Sequence, residues 1–77
     1  MRIEILGPGC PNCAKLAEAA RQAVADLDVE AEVVKVTNIV EITNRGVLMT
    51  PALVVDGEVV SSGKVLSPEQ IRDLLAT

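Results

Sequence analysis

The 77-residue sequence contains no Phe, Trp or Tyr and no His. Without aromatic side chains the protein has nothing on which nucleic-acid bases could stack. Basic residues are also few, with seven Lys and Arg against eleven Asp and Glu, and the net charge is −4. This charge opposes binding to a phosphate backbone or to an anionic membrane surface. We therefore expect no nucleic-acid partner and no membrane partner.

Long hydrophobic runs are missing as well, although 49% of the residues are hydrophobic. Residues 1–6 carry charges within a short apolar run, and a Gly-Pro pair follows almost at once. Such a segment is typical of neither a signal peptide nor a membrane span. We expect a cytoplasmic protein whose residues 1–77 form one domain, near the lower size limit for folding on a single apolar core.

The chain has just two cysteines, Cys10 and Cys13, and they lie where a short apolar segment gives way to an alanine-rich helical pattern. If Cys10 is the N-cap, Pro11 takes the first helical position, where its fixed φ fits and its missing N–H costs nothing. The Cys10 sulfur then lies near unpaired N–H groups and the positive end of the helix dipole, which favour the thiolate. Cys13 faces the core from the same helix start. We predict that Cys10 is the nucleophile and Cys13 the resolving thiol.

Other interpretations of this spacing remain open. The two thiols could be structural neighbours in a binding module that uses them little. A zinc site needs four ligands, so with no further cysteine it would require a second subunit. A soft metal such as Cu(I) is satisfied by two thiolates, so a metal carrier is the alternative function. In a reducing compartment, a catalytic or metal-binding role is favoured over a static cross-link. The redox interpretation needs no cofactor and no resident metal.

Hydrophobic periodicity predicts the elements of the first half of the chain. Residues 3–6 and 31–37 favour strands, and apolar positions within 11–28 recur at helical spacing. Strand, helix and strand over about 35 residues predict a right-handed unit with parallel strands. Thr37 or Asn38 then caps a short second helix.

The second half of the chain predicts a hairpin and a last helix. Asp56-Gly57 is a two-residue turn signal between two apolar strands. Ser67 precedes a proline and caps the last helix. Residues 46–49 return the chain to the core and offer an apolar surface beside the cysteines. The expected fold is α/β, with a four-stranded mixed sheet and three helices in the order β-α-β-α-β-β-α.

This order, with Cys-x-x-Cys at the first strand-to-helix turn and Thr50-Pro51 opening the third strand, resembles the minimal form of the thioredoxin and glutaredoxin superfamily. It resembles in particular the small prokaryotic proteins called redox-active disulfide proteins. The motifs that carry the resemblance are Gly7-Pro8-Gly9-Cys10-Pro11-Asn12-Cys13, Pro51-Ala52, Val55-Asp56-Gly57 and Gly63-Lys64-Val65-Leu66-Ser67.

The resemblance implies a thiol-disulfide oxidoreductase whose Cys-Pro-Asn-Cys pair exchanges electrons with protein or small-molecule disulfides. It also implies a cis Thr50-Pro51 bond. Such a bond exposes the backbone of Thr50 beside Cys10, where an incoming peptide or tripeptide disulfide could pair like an added strand. We therefore assign substrate docking to Thr50, Pro51, Gly9, Pro11 and Asn12.

Departures from the common family patterns bear on the electron donor. Proteins resembling the common thioredoxins have Trp before the first cysteine, where this chain has Gly9. Those resembling the common glutaredoxins have Tyr between the cysteines and an acidic pair near the last helix that holds glutathione. This chain has Asn12 and Lys64 instead. The expected donor is therefore of the thioredoxin-reductase type rather than glutathione.

Glu4 is the polar exception within the first strand. If its side chain lies buried beneath the cysteines, desolvation raises its pKa and suits it to proton transfer with Cys13. The alternative is a solvated carboxylate at a strand end. The structure distinguishes these two expectations.

Overall fold

The computed structural model describes residues 1–76, and these build one mixed sheet with helices on both faces. Within them, the predicted order β-α-β-α-β-β-α is confirmed, while the predicted domain end, Thr77, lies outside the described residues. None of these helices combines the length and the apolar character that crossing a membrane requires. The elements are β1 (Arg2–Leu6), α1 (Pro11–Leu27), β2 (Glu32–Val36), α2 (Ile39–Asn44), β3 (Ala52–Val55), β4 (Glu58–Ser62) and α3 (Pro68–Leu75).

The strands lie in the order β2-β1-β3-β4. β1 pairs in parallel with β2, and Ile5 lies opposite Lys35 in that pairing. On its other side β1 pairs antiparallel with β3, where Ile5 lies opposite Leu53. β3 and β4 form the antiparallel hairpin. Because β1 and β2 run in the same direction, their carboxyl ends meet at one edge of the sheet. The turn from β1 into α1 lies at that edge.

The helices α1 and α3 pack together on one face of the sheet. Alanines dominate the buried side of α1, and Ala17, Ala20 and Ala23 are fully buried. Because these side chains are small, the helix approaches the strands closely, and aliphatic side chains from the sheet and both helices fill the core without an aromatic residue. The large fully buried side chains of this cluster are Ile3, Ile5, Leu16, Leu53 and Ile71.

The short helix α2 covers the opposite face of the sheet. Of the two predicted capping residues, Asn38 is the N-cap, and its Oδ1 accepts hydrogen bonds from the N–H groups of Val40 and Glu41 at 2.9 and 3.2 Å. The expectation that residues 46–49 return to the core is correct for the buried Val47 and wrong for Leu48 and Met49, which are 92% and 65% exposed. The apolar cluster on this face comprises Leu6, Val36, Ile42, Val47, Ala52 and Val54.

Two local signals in the second half of the sequence are confirmed. Asp56 and Gly57 have φ values of 49° and 87°, as a two-residue hairpin requires. The Oδ1 of Asp56 also accepts a 2.7 Å hydrogen bond from the N–H of Arg2, which ties the hairpin to β1. Ser67 and Gln70 form a capping box at the start of α3.

Candidate active site

The two cysteines form a disulfide at the N-terminal end of α1, with Cα atoms 5.1 Å apart. Cys10 is the N-cap, in an extended conformation, and Pro11 follows in the first turn, as predicted. The Sγ of Cys10 accepts a hydrogen bond from the backbone N–H of Cys13 at 3.3 Å. The sulfur therefore occupies the place of the usual capping oxygen and uses an N–H group that a helix start leaves unpaired. In the reduced protein this donor favours a thiolate at Cys10.

The two cysteines differ in their exposure to solvent. Cys13 is only 6% exposed and belongs to the buried face of α1, whereas Cys10 is partly exposed. The prediction that the second cysteine faces the core is therefore correct. Solvent therefore reaches Cys10, while Cys13 lies in the core behind it.

Gly7 lies against Cys13, immediately after β1. A Cβ atom on Gly7 would overlap the Sγ of Cys13 and lie 3.3 Å from its Cβ. The N–H of Gly7 donates to the carbonyl oxygen of Val36 at 2.9 Å, so the backbone at this point is fixed to the end of β2. The same space lies 3.8 Å from the Cβ of Thr50. Gly7 therefore lies beside both Cys13 and Thr50.

Three of the residues predicted to dock substrate, Gly9, Pro11 and Asn12, adjoin the cysteines in the chain, and Thr50 lies beside Gly7. Gly9, Pro11, Asn12 and Thr50 are exposed, whereas Pro51 is buried. The Thr50-Pro51 bond is cis, as the family resemblance implies. The carbonyl oxygen of Pro51 accepts a 2.9 Å hydrogen bond from the N–H of Gly63, which joins this segment to the end of β4. The docking role of these residues stays a prediction.

Glu4 contradicts the expectation of a raised pKa. Its side chain is buried, 3% exposed, but it is bound by Arg45, with Nη1–Oε1 and Nη2–Oε2 distances of 3.0 and 2.6 Å. These hydrogen bonds outweigh the effect of burial and, with the charge of Arg45, hold the pKa of Glu4 below its ordinary value. The alternative of a solvated carboxylate is wrong too. Because side chains alternate along β1, Glu4 faces away from Ile5, and it is not part of the cavity at the two cysteines.

That cavity, of about 70 Å³, borders both cysteines. One of its lining residues, Lys35, had no predicted role. Lys35 lines it from β2, and alternation along the strand places Thr37 on the same side. The signal was present in the sequence, because the carboxyl ends of adjacent parallel strands share an edge with the cysteine turn. The lining residues are Ile5, Gly7, Gly9, Cys10, Cys13, Ala14, Lys35 and Thr37.

Two further features of the described residues lie apart from the cysteines. A larger groove, of about 630 Å³, runs between β4 and α3 and includes Val60, Leu66 and Asp73. It contains neither cysteine and none of the predicted docking residues. Within residues 1–76, no group of three or more His, Cys, Asp or Glu side chains is placed to hold a metal ion.

Comparisons with known proteins extend over the same residues. The sequence profile of a family described as "Thioredoxin domain" matches residues 1–76. The chain is 41% identical over 76 residues to a thioredoxin of Methanothermobacter thermautotrophicus, and the match covers 99% of each chain. It is also 41% identical over 73 residues to a thioredoxin of Methanocaldococcus jannaschii, a match that covers 95% of this chain and 84% of that protein.

Proposed function

This chain belongs to the thioredoxin family and is a thiol-disulfide oxidoreductase, and from this premise we propose that Cys10 is its nucleophile and Cys13 its resolving thiol. The observation that carries the proposal is the difference between the two cysteines. Cys10 is partly exposed at the N-cap of α1, with a backbone N–H directed at its sulfur, whereas Cys13 is buried. An outer thiolate with a resolving partner behind it suits stepwise disulfide exchange.

The proposed reaction transfers two electrons to a substrate disulfide. The Cys10 thiolate attacks one substrate sulfur, the substrate S–S bond breaks, and one substrate thiolate leaves as a mixed disulfide forms. Cys13 then loses its proton to solvent and attacks the Cys10 sulfur. This step releases the second substrate thiolate and leaves the Cys10–Cys13 disulfide, which a reductase returns to the dithiol with two electrons.

We propose that substrate docks on the rim formed by Gly9, Pro11, Asn12, Thr50 and Pro51. Four of these five residues are exposed, and Thr50 lies beside Gly7, as Cys13 does. An extended peptide that pairs with the backbone at Thr50 would present its disulfide to Cys10. The exposed Leu48 and Met49 precede Thr50 in the chain and offer apolar contacts to a protein substrate.

We further propose a donor of the thioredoxin-reductase type acting in the cytoplasm, where a reducing environment keeps a cycling pair as the dithiol. The support is that Asn12 and Lys64 replace the features that hold glutathione in proteins resembling glutaredoxins. An insulin-reduction assay can be run with NADPH and thioredoxin reductase, and separately with glutathione and its reductase. We expect turnover to be about tenfold or more faster in the first assay, a difference of about 1.4 kcal/mol in activation free energy. Equal or faster turnover with glutathione would reverse the assignment of the donor.

The roles of the two cysteines are tested by single substitutions. Cys10→Ser is expected to abolish disulfide reduction, because no thiolate is left to attack the substrate. Cys13→Ser is expected to accumulate a mixed disulfide at Cys10, which non-reducing mass spectrometry detects. Full reductase-coupled turnover in both variants, or trapping in Cys10→Ser instead, would refute the mechanism. Tight stoichiometric Cu(I) binding by the reduced protein, without reductase coupling, would favour a metal carrier.

A further inference from the structure

The basic residues of the chain fall into two groups that differ in their partners. Among the described residues, all four arginines form ion pairs with carboxylates, whereas the three lysines form none. The lysines are also exposed to solvent. An exposed ammonium group without a carboxylate partner attracts negative charge on an approaching molecule. The three residues are Lys15, Lys35 and Lys64, which we call the lysine surface.

Two members of the lysine surface lie beside the cysteine turn. Lys15 follows Pro11 by four residues and Asn12 by three, so it lies on the same exposed side of α1 as these two docking residues. Lys35 lines the cavity that borders both cysteines. Both ammonium groups are therefore close to the place where a substrate disulfide meets Cys10.

The third member, Lys64, lies beside the segment that leads to the cis proline. It follows Gly63, whose N–H donates to the carbonyl oxygen of Pro51 at 2.9 Å. The Met49 side chain packs on the same glycine, since a Cβ atom there would lie 3.2 Å from the Cβ of Met49. Because β2 and β4 are the two edge strands, Lys35 and Lys64 lie on opposite sides of the docking rim.

A cluster of acidic residues lies at the other end of the molecule. α1 ends there, β2 begins there, and the hairpin turn is bound to the start of β1 through Asp56 and Arg2. Arg2 and Arg72 are the basic residues that pair with this cluster. The net charge of −4 is therefore distributed unevenly, with a positive field at the cysteines. The acidic residues of this end are Asp26, Asp28, Glu30, Glu32, Asp56 and Glu58.

Acidic residues nearer to the lysines leave this field in place. The first turn of α1 contains none, and residues 46–51 carry no charged side chain. Glu18 and Glu41 each lie beside an arginine that offsets their charge. Asp73 lines the same groove as Lys64, but no ion pair joins the two within residues 1–76.

We propose that the lysine surface selects substrates, and that it favours disulfide-bearing polypeptides with acidic residues beside the disulfide. This inference rests on the proposed role of Cys10 as nucleophile and on the docking rim. A chain bound at Thr50 passes between Lys35 and Lys64, so carboxylates on either side of its disulfide meet an ammonium group. Such long-range attraction raises the rate of productive encounter, and a basic substrate is repelled by the same charges.

The test uses two synthetic peptides that contain the same intramolecular disulfide, flanked by Asp and Glu in one and by Lys and Arg in the other. Each is mixed with the reduced protein in a single turnover, and alkylation with mass spectrometry gives the second-order rate constant. Division by the rate constant for dithiothreitol, an uncharged reductant, removes the intrinsic reactivity of each disulfide. The ratio of the two normalised constants, acidic over basic, is the charge preference.

We expect a charge preference of about tenfold or more at low salt. It should fall towards one as the ionic strength rises from about 0.01 M to about 1 M, because the screening length shrinks from about 30 Å to about 3 Å. A preference for the basic peptide, no preference, or a preference that salt leaves unchanged would overturn the inference.

Variants locate the charges that set the preference. Lys15→Gln combined with Lys64→Gln should lower it about threefold or more, and Lys15→Arg combined with Lys64→Arg should keep it within about twofold of the parent value. Lys35 stays in place in every variant, because it borders the cysteine cavity.

Arg21→Gln is the matched control for the single variant Lys15→Gln. It removes one positive charge from the same helix, about 9 Å farther from the cysteines, where Glu18 already offsets that charge. Its effect on the charge preference should be less than about half that of Lys15→Gln. Equal effects of these two variants would show that net charge, rather than the lysine surface, sets the preference, and no effect of the double glutamine variant would refute the role of these lysines.

Binding without reaction separates this inference from the proposed mechanism. Analogues of the two peptides with serine in place of cysteine are titrated into the oxidised protein, and the NMR shifts of the backbone amides are recorded. Larger shifts at Lys15 and Lys64 with the acidic analogue support the lysine surface, even where neither disulfide peptide is reduced and the mechanism is refuted. Reduction of both disulfide peptides at equal normalised rates, with equal shifts for both analogues, would leave the mechanism standing and refute the lysine surface.

Discussion

The space beside Gly7 is occupied by the Sγ of Cys13, so this position cannot carry a side chain without moving the redox pair. We expect Gly7→Ala to destabilise the reduced protein by about 1 to 3 kcal/mol, because overpacking forces neighbouring atoms to shift. Reoxidation of the pair should slow as well, since Cys13 is displaced. Urea unfolding under reductant measures the first effect, and the rate of disulfide formation measures the second.

A double-mutant cycle isolates the cause of this effect. In a Cys13→Ala background the sulfur is absent, so Gly7→Ala should cost less than it does in the parent protein. The same cost in both backgrounds would mean that the new methyl group acts on something other than the sulfur. All four proteins are compared under reductant, so the disulfide contributes to none of the measured free energies.

At the level of single residues, the sequence predicted those features that depend on residues close by in the chain. Cys10, Pro11 and Cys13 are adjacent in the sequence, so the helix cap and the direction of each thiol could be predicted. The state of Glu4 could not, because its partner Arg45 lies 41 residues away and nothing local to either residue indicates the pairing. Burial alone would raise the pKa of Glu4, whereas burial with a bound guanidinium lowers it.

Among the elements, α2 is joined to β1 by this same ion pair. Arg45 is the C-cap of α2, and its guanidinium reaches the buried Glu4 on β1. Because the folded protein lowers the pKa of Glu4, the pair contributes stability above the unfolded pKa of about 4.3 and loses it as the pH falls through the lower folded value. We expect Glu4→Gln to reduce the free energy of unfolding by about 1 to 3 kcal/mol at neutral pH. Urea titrations between about pH 3 and pH 7 should show this difference shrinking below about pH 4.3.

Glu58→Gln is the matched control for this experiment, because it makes the same change on an exposed residue of the hairpin. Its effect should stay within about 0.5 kcal/mol. A difference between Glu4→Gln and the parent protein that stays constant from neutral to acidic pH would contradict the assignment, because it would arise from packing rather than from charge. A difference that grows on acidification would contradict the sign of the pKa shift.

The elements themselves were predictable because their signals are local. The Asp56-Gly57 turn and the Ser67 cap each depend on a few adjacent residues, and both formed as expected. The segment from residue 46 to residue 49 was harder, since its apolar composition suggests burial along its whole length. Within this segment, Val47 is the residue that packs into the apolar cluster under α2. The chain then continues at the surface to Thr50, which lies beside Gly7. Which residue of such a segment is buried depends on the tertiary structure and not on the segment.

For the whole molecule, the absence of aromatic residues concentrates the packing energy in a few aliphatic side chains. Ile71 of α3 is fully buried in the cluster that also holds Ile3, Leu16 and Leu53, so it joins the last helix to α1 and the sheet. In a domain of this size the total free energy of unfolding is roughly 4 to 12 kcal/mol, by the usual value per residue. Each such side chain therefore accounts for a large share of the total, and loss of one should weaken the fold as a unit.

Ile71→Ala tests this dependence at a point remote from the cysteines. Removal of the buried side-chain atoms should cost about 2 to 5 kcal/mol, which lowers the Tm by roughly 10 °C or more in a domain of this length. Ile71→Val should cost about 1 kcal/mol, because it deletes a single methylene. Since the domain is expected to unfold in one step, the thermal loss of reductase activity should follow the loss of helical circular dichroism in both variants. Activity that persists after α3 has melted would show that the cysteine turn and the sheet hold together without the last helix.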